Sequence, residues 1–341
     1  MEEKFGVLPS GKIARPYTIS CGLLTAQIAD IGATLVKLLV PDREGCLADV
    51  VLGYDTAGEY RAKDGCLGAV VGRHANRMGR ARFCLEGQEI CLEANEGPNN
   101  LHSGPDFWFR RLWTVECHRD NEIAFSLETP DGDQGFPGGG RVLVTYRLEG
   151  NGLTVRYEGM FDRDTLFNPT QHSYFNLAGH DRCDRAMEQT LWVRASRFTP
   201  VDGASIPTGK TAPVDGTALD FRQPRVIGTG WEKDPLTGPQ GGIDHNFILD
   251  SVGMEAPAAE LADPASGRVM TVYTDCPGIQ VYCANFLDTT GKGGVPYPRN
   301  SGVCLETQFY PDSPNHPQWP QCIVPAHTKV ARTTRFAFSA V

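Results

Sequence analysis

Val142-Leu143-Val144-Thr145-Tyr146-Arg147-Leu148-Glu149-Gly150-Asn151-Gly152-Leu153-Thr154-Val155-Arg156-Tyr157-Glu158 decides the fold class. Val142, Val144, Tyr146 and Leu148 alternate with Leu143, Thr145 and Arg147. Leu153, Val155 and Tyr157 alternate with Thr154, Arg156 and Glu158. A period of two puts each set on its own face of a strand. Gly150-Asn151-Gly152 between the two runs reads as a hairpin, because Asn and Gly tolerate positive φ. Ile123, Phe125 and Leu127 repeat the alternation, and 83–92 reads as a second hairpin turning at Glu86-Gly87. Further strands are expected at 24–31, 35–40, 191–198, 269–273, 279–286 and 330–338.

Helical signals are few. Asp55 is placed to cap a short helix through Arg61, weakened by Gly58. Many strands with so few crossover helices argue against a parallel βαβ fold. The expectation is an all-β chain, one large antiparallel β-sandwich with few short helices, forming a single domain over 1–341. The Gly/Pro-rich stretch 200–239 has specific turn chemistry, so it reads as an ordered excursion over the sandwich rather than a linker.

Composition narrows the function. The net charge of −9, from 32 basic and 41 acidic residues, disfavours nucleic acid or an anionic membrane as partner. The opening residues lack the charged and apolar regions of a signal peptide. No stretch approaches the apolar length of a membrane helix. The eleven cysteines are scattered and form no Cys-x-x-Cys pair, so most are expected to be buried free thiols. Together these features predict a cytoplasmic protein.

No metal, nucleotide or nucleophile-elbow motif is present. What remains is a set of polar clusters ending apolar runs: Gly72-Arg73-His74-Ala75-Asn76-Arg77, Asn99-Asn100-Leu101-His102-Ser103-Gly104, Asn168-Pro169-Thr170-Gln171-His172-Ser173-Tyr174, Gly242-Ile243-Asp244-His245-Asn246 and Gly278-Ile279-Gln280-Val281-Tyr282. Near the C-terminus, Val303-Cys304-Leu305-Glu306-Thr307-Gln308 sets one carboxylate between apolar neighbours, where it can be kept dry and made a general base. His172 is the side chain suited to donating and recovering a proton near neutral pH.

These clusters, in this order and from about Ala48 onward, resemble the aldose 1-epimerase (galactose mutarotase) family. Ser103, where the family has Gly, and the following Pro105-Asp106-Phe107-Trp108-Phe109 are departures, and this loop is where sugar preference is least transferable. The resemblance implies a galactose mutarotase-like supersandwich that interconverts the α and β anomers of free aldohexoses such as galactose and glucose. It implies Glu306 as general base and His172 as general acid. Asn76, Arg77, His102, Asp244 and Gln280 would bind the sugar, and His102 could share the acid role. It implies no cofactor and no metal. Arg73, His245 and Asn246 read as bracing residues. The expected partner is a small-molecule sugar, with the chain a monomer or homodimer. Alternatives are an epimerase of another aldose or of an oligosaccharide reducing end, and a sugar-binding homologue without catalysis. A glycoside hydrolase would need two carboxylates flanking a bond, for which Glu306 with Asp244 is the candidate pair.

Overall fold

Gly140–Glu149 and Gly152–Phe161 pair antiparallel with Glu149 opposite Gly152, as the opening stretch predicts. In the computed structural model, residues 5–341 are described. Residues 1–4, part of the segment read for a leader, lie outside the described residues. The hairpin seeds a nine-stranded sheet. Its order runs Thr114–His118, Glu122–Thr129, Gly140–Glu149, Gly152–Phe161, Val330–Ala340, Arg268–Thr274, Ala259–Ala262, Thr190–Val193, Arg225–Val226. The C-terminal strand therefore sits in the middle of the sheet, between Gly152–Phe161 and Arg268–Thr274.

A six-stranded sheet holds, in order, Tyr174–Phe175, Val303–Gln308, Gly278–Tyr282, Asp244–Ile248, Arg197–Phe198 and Ala212–Pro213. A four-stranded sheet holds Pro16–Cys21, Leu24–Ala29, Thr34–Pro41 and Leu47–Asp49. Every pairing within these three sheets is antiparallel. One core joins them. Phe125, Val144, Tyr146 and Val155 from the large sheet pack with Ile19, Ala26 and Ile28 from the small one, and with Phe247, Ile279, Val281 and Leu305 from the six-stranded one. Alternation supplies this packing, since each strand turns every second side chain inward. Among the described residues no helix is long and apolar enough to cross a membrane.

Four sequence expectations change. The strand expected at 191–198 is two strands in different sheets, Thr190–Val193 and Arg197–Phe198. Asp250 Oδ1 accepts from both the amide and hydroxyl of Ser196, and this capture interrupts the ladder at the crossing. The strand expected at 279–286 stops at Tyr282, because Ala284 adopts φ 52 and Phe286 turns outward. The short helix is Ala57–Ala62, capped by Thr56 rather than Asp55. Asp55 instead accepts from the Gly293 amide. Of the eleven cysteines, all free, only Cys276, Cys283, Cys304 and Cys322 are buried, and Cys46, Cys84 and Cys91 are exposed. The 200–239 excursion is anchored to the sandwich, with Val214, Leu219, Phe221 and Ile227 in the core.

Candidate active site

The six-stranded sheet has one apolar and one polar face. Val303 and Leu305, like Ile279 and Val281, join the core. The alternate residues face the other way in register. Asp244 lies opposite Tyr282, which lies opposite Cys304. Asn246 lies opposite Gln280, which lies opposite Glu306. All six residues of Val303–Gln308 are buried, so the polar face is covered by other chain segments rather than open to bulk water.

Those covering segments bring the remaining residues. Thr170–Gln171 pairs with Val70–Val71, and His172 then exchanges backbone bonds with the next turn: its amide donates to Ala69 O, and its carbonyl accepts from Gly68 N. Gly68 has φ 70, and a Cβ there would fall 2.1 Å from Leu35 O. Only glycine fits beside the catalytic-candidate histidine. Arg77–Met78 pairs with Asn100–Leu101. The flanking Asn76 and His102 take left-handed backbone, φ 62 and 53. His102 Nδ1 accepts from the Asn76 amide at 3.1 Å.

Asn76, Arg77, His102, His172, Asp244 and Glu306 line one cavity of about 950 Å³. Gln280 stands behind it: Gln280 Nε2 donates to Asp244 Oδ1 at 2.6 Å. Its reach toward the cavity is thus through Asp244. Arg73 is fully buried, donating to the carbonyls of Pro137 and Gly138, and braces the fold as expected. Ser103 ties its turn to His74, accepting from the His74 amide and donating to its carbonyl. Of the three loop aromatics, Phe107 and Phe109 stack at 4.6 Å and line the cavity, while Trp108 is buried in the core. Sequence reasoning missed Glu96, Tyr174 and Tyr282. Both tyrosines line the cavity. Glu96 holds Arg77 by a two-pronged contact, Nε to Oε2 at 2.8 Å and Nη2 to Oε1 at 2.9 Å. Its signal was weak, since it precedes the Asn99–His102 cluster by only a turn and matches no motif.

The electrostatics are set by burial. Glu306 is 2% exposed, and Oε1 lies 3.5 Å from His172 Nε2. Burial pushes the Glu306 carboxyl well above its usual range; Asp244 adds to this and Arg77 opposes it. Burial also lowers His172 to about 4, against its own carbonyl and Asp244. Both groups are thereby driven toward their neutral forms, with one proton between them. His102 is held well below its ordinary value by burial, with His172 and Arg77 adding to it. A neutral His102 whose Nδ1 accepts carries its hydrogen on Nε2, so it is a hydrogen-bond donor. Arg77 Nη1 reaches to 3.6 Å from Asp244 Oδ2, which completes a chain Glu96–Arg77–Asp244–Gln280.

Among the described residues, one group of three, His172, Cys304 and Glu306, presents metal-ligand atoms within 4.8 Å of one another. The two short contacts use opposite ring nitrogens, Cys304 Sγ on Nδ1 and Glu306 Oε1 on Nε2, both at 3.5 Å.

Residues 15–337 match the family model described as aldose 1-epimerase. The chain is 42% identical to the galactose mutarotase of Sus scrofa over 338 residues, covering 98% of this chain and 97% of that one. It is 33% identical over 347 residues to the aldose 1-epimerase of Escherichia coli (strain K12), covering 100% and 99%. The crystal structure of a GalM/aldose epimerase homologue from C. elegans superposes with a TM-score of 0.89 at 30% identity, covering 96% of this chain and 99% of that one. On this coverage and identity, the chain belongs to the aldose 1-epimerase family of isomerases.

Proposed function

We propose that this chain interconverts the α and β anomers of free aldohexoses such as galactose and glucose, with Glu306 and His172 as the proton-transfer pair. The observation that carries the reading is that Glu306 Oε1 and His172 Nε2 lie 3.5 Å apart and face one cavity. The hydroxyl oxygen and the ring oxygen of an anomeric centre share one carbon, so a pair this close suits both. Glu306 as carboxylate takes the proton from the C1 hydroxyl. His172 as imidazolium gives its Nε2 proton to the ring oxygen as the bond between that oxygen and C1 breaks. The C1–C2 bond rotates. Closure runs the same steps backwards from protonated Glu306 and neutral His172. Burial favours that neutral pair, and the Arg77 charge is what pulls Glu306 back toward the carboxylate.

Asn76, Arg77, His102 and Asp244 hold the sugar hydroxyls, and Gln280 orients Asp244. His102 donates a hydrogen bond without taking part in proton exchange, because its Nδ1 is occupied by the Asn76 amide. The Phe107–Phe109 wall and the size of the cavity favour, as a second reading, a longer reducing-end sugar over a monosaccharide. The eleven free cysteines suit a reducing compartment, so the reading includes a cytoplasmic location. It also includes a single domain over 1–341, acting as monomer or homodimer without nucleic-acid or membrane partners.

Polarimetry of freshly dissolved α-D-galactose and α-D-glucose tests it, with wild type and Glu306→Gln compared. Wild type should relax the rotation fast, and the variant should lose at least roughly a hundredfold in kcat, the scale of a missing general base. A variant at wild-type rate removes Glu306 from the chemistry. No acceleration of either monosaccharide, with acceleration of a disaccharide, selects the second reading.

A further inference from the structure

We infer that Cys304 is the positioning residue of His172: its sulfur accepts the Nδ1 hydrogen and leaves Nε2 as the nitrogen that exchanges protons. The inference rests on the proposed Glu306–His172 pair. Its geometry comes from the strand period. Cys304 and Glu306 are two residues apart on Val303–Gln308, so both side chains leave the same face. The imidazole of His172 lies against both of them. Cys304 Sγ is 3.5 Å from Nδ1, and Glu306 Oε1 is 3.5 Å from Nε2. All three residues are buried.

Chemistry selects the direction of the bond. For opening and closure to be each other's reverse, one nitrogen must give and recover a proton while the other keeps its own. Nε2 is the nitrogen facing Glu306, so Nδ1 keeps its hydrogen and needs an acceptor. Cys304 Sγ is in place, and the ring also lies within reach of its own backbone carbonyl. Sulfur is a weak acceptor. A catalytic histidine held by a carboxylate gains basicity from it. Here the Nδ1 partner is a thiol that burial keeps protonated. It orients the ring while giving little support to the imidazolium, which therefore surrenders its Nε2 proton readily. The other groups facing the ring are Tyr174, stacked at 5.0 Å, Tyr282 at 6.2 Å and His102 edge-on at 5.5 Å, with the Asp244 charge favouring the imidazolium. Tyr174, stacked on the imidazole, presents its ring face to it rather than its hydroxyl.

The test is nitrogen NMR of ¹⁵N-histidine-labelled protein near pH 7, with kinetics of Cys304→Ala and Cys304→Ser. Wild-type His172 should be the Nδ1–H tautomer. Cys304→Ala should show a tautomer mixture and lower kcat on the order of tenfold with KM unchanged, a part of what proton transfer contributes. Cys304→Ser, whose hydroxyl also accepts, should restore the single tautomer and most of the rate. An Nε2–H tautomer in wild type overturns the inference, and this holds even if the alanine variant does not fold. So does a folded Cys304→Ala with unchanged tautomer and kcat. Glu306→Gln and His172→Asn separate the two proposals. If both remain active the pair itself falls; if both are inactive while Cys304→Ala is unaffected, only the role of Cys304 falls.

Discussion

Glu306 and His172 must hold one proton between them for the proposed reaction to turn over, and this fixes the sign of its pH dependence. On the acid side, a second proton reaches His172 near pH 4, where burial has moved it, while Glu306 stays protonated. The pair then has no base. On the alkaline side the shared proton is lost, and burial of Glu306 moves that loss well above the ordinary carboxylate range. The expected kcat/KM profile is a bell with its acid limb near pH 4 and its alkaline limb displaced upward from 4.5. An acid limb near 6.5, the unshifted histidine value, would show His172 to be solvated in the working enzyme. The same shift acts on folding. A histidine with a lowered folded pKa costs nothing above 6.5. Stability is then lost as pH falls from 6.5 to about 4, because the unfolded chain binds the proton first. His74, also lowered to about 4 by burial, adds to this loss. Asp30, raised to about 6 by burial, acts in the opposite sense, as do the raised carboxyls of Glu306 and Asp312. The histidine effect is therefore read from His74→Asn, which should narrow the drop in urea midpoint, or enlarge the rise, between pH 7 and pH 5.

At the scale of elements, the site depends on strands locked together by a few buried polar groups. Lys292 is the strongest case. Its Nζ donates to the carbonyls of Val36 and Val51 at 2.8 Å and to Asp49 Oδ2 at 2.5 Å, with the side chain almost fully buried. It pins its turn to the four-stranded sheet. Lys292→Ala leaves Asp49 without its cation, its Oδ1 still held by the Leu38 amide, and should cost about 3–5 kcal/mol by denaturant titration, with KM unchanged in the folded fraction. A loss under 1 kcal/mol would mean water reaches Asp49 in the variant. Strand identity was legible from alternation in the 142–158 hairpin; Val303–Gln308 was not among the expected strands and emerges only in the structure. Strand ends were not. The break at Ser196 depends on Asp250, 54 residues away, and no local pattern announces it.

At the scale of the molecule, the order of the nine-stranded sheet makes the C-terminus indispensable. Val330–Ala340 carries the buried Phe336 and Phe338 and pairs on both sides, with Gly152–Phe161 and Arg268–Thr274. Truncation after Lys329 opens two long ladder edges in the middle of the sheet. Such a chain should be recovered as aggregate. Soluble truncated protein with native near-ultraviolet dichroism would contradict that topology.

The sequence by itself determined the all-β class and most of the strands, because alternation and turn chemistry are local properties, while the residues that gather at the site were named through the family resemblance of their motifs. Only the tertiary structure decided what those side chains meet. Glu96 reaches Arg77 across 19 residues, and Cys304 meets His172 across 132. Burial of Glu306 likewise comes from segments that cover the sheet from elsewhere in the chain. Protonation and pairing are properties of an environment, and a polar side chain acquires its environment only when distant strands have packed.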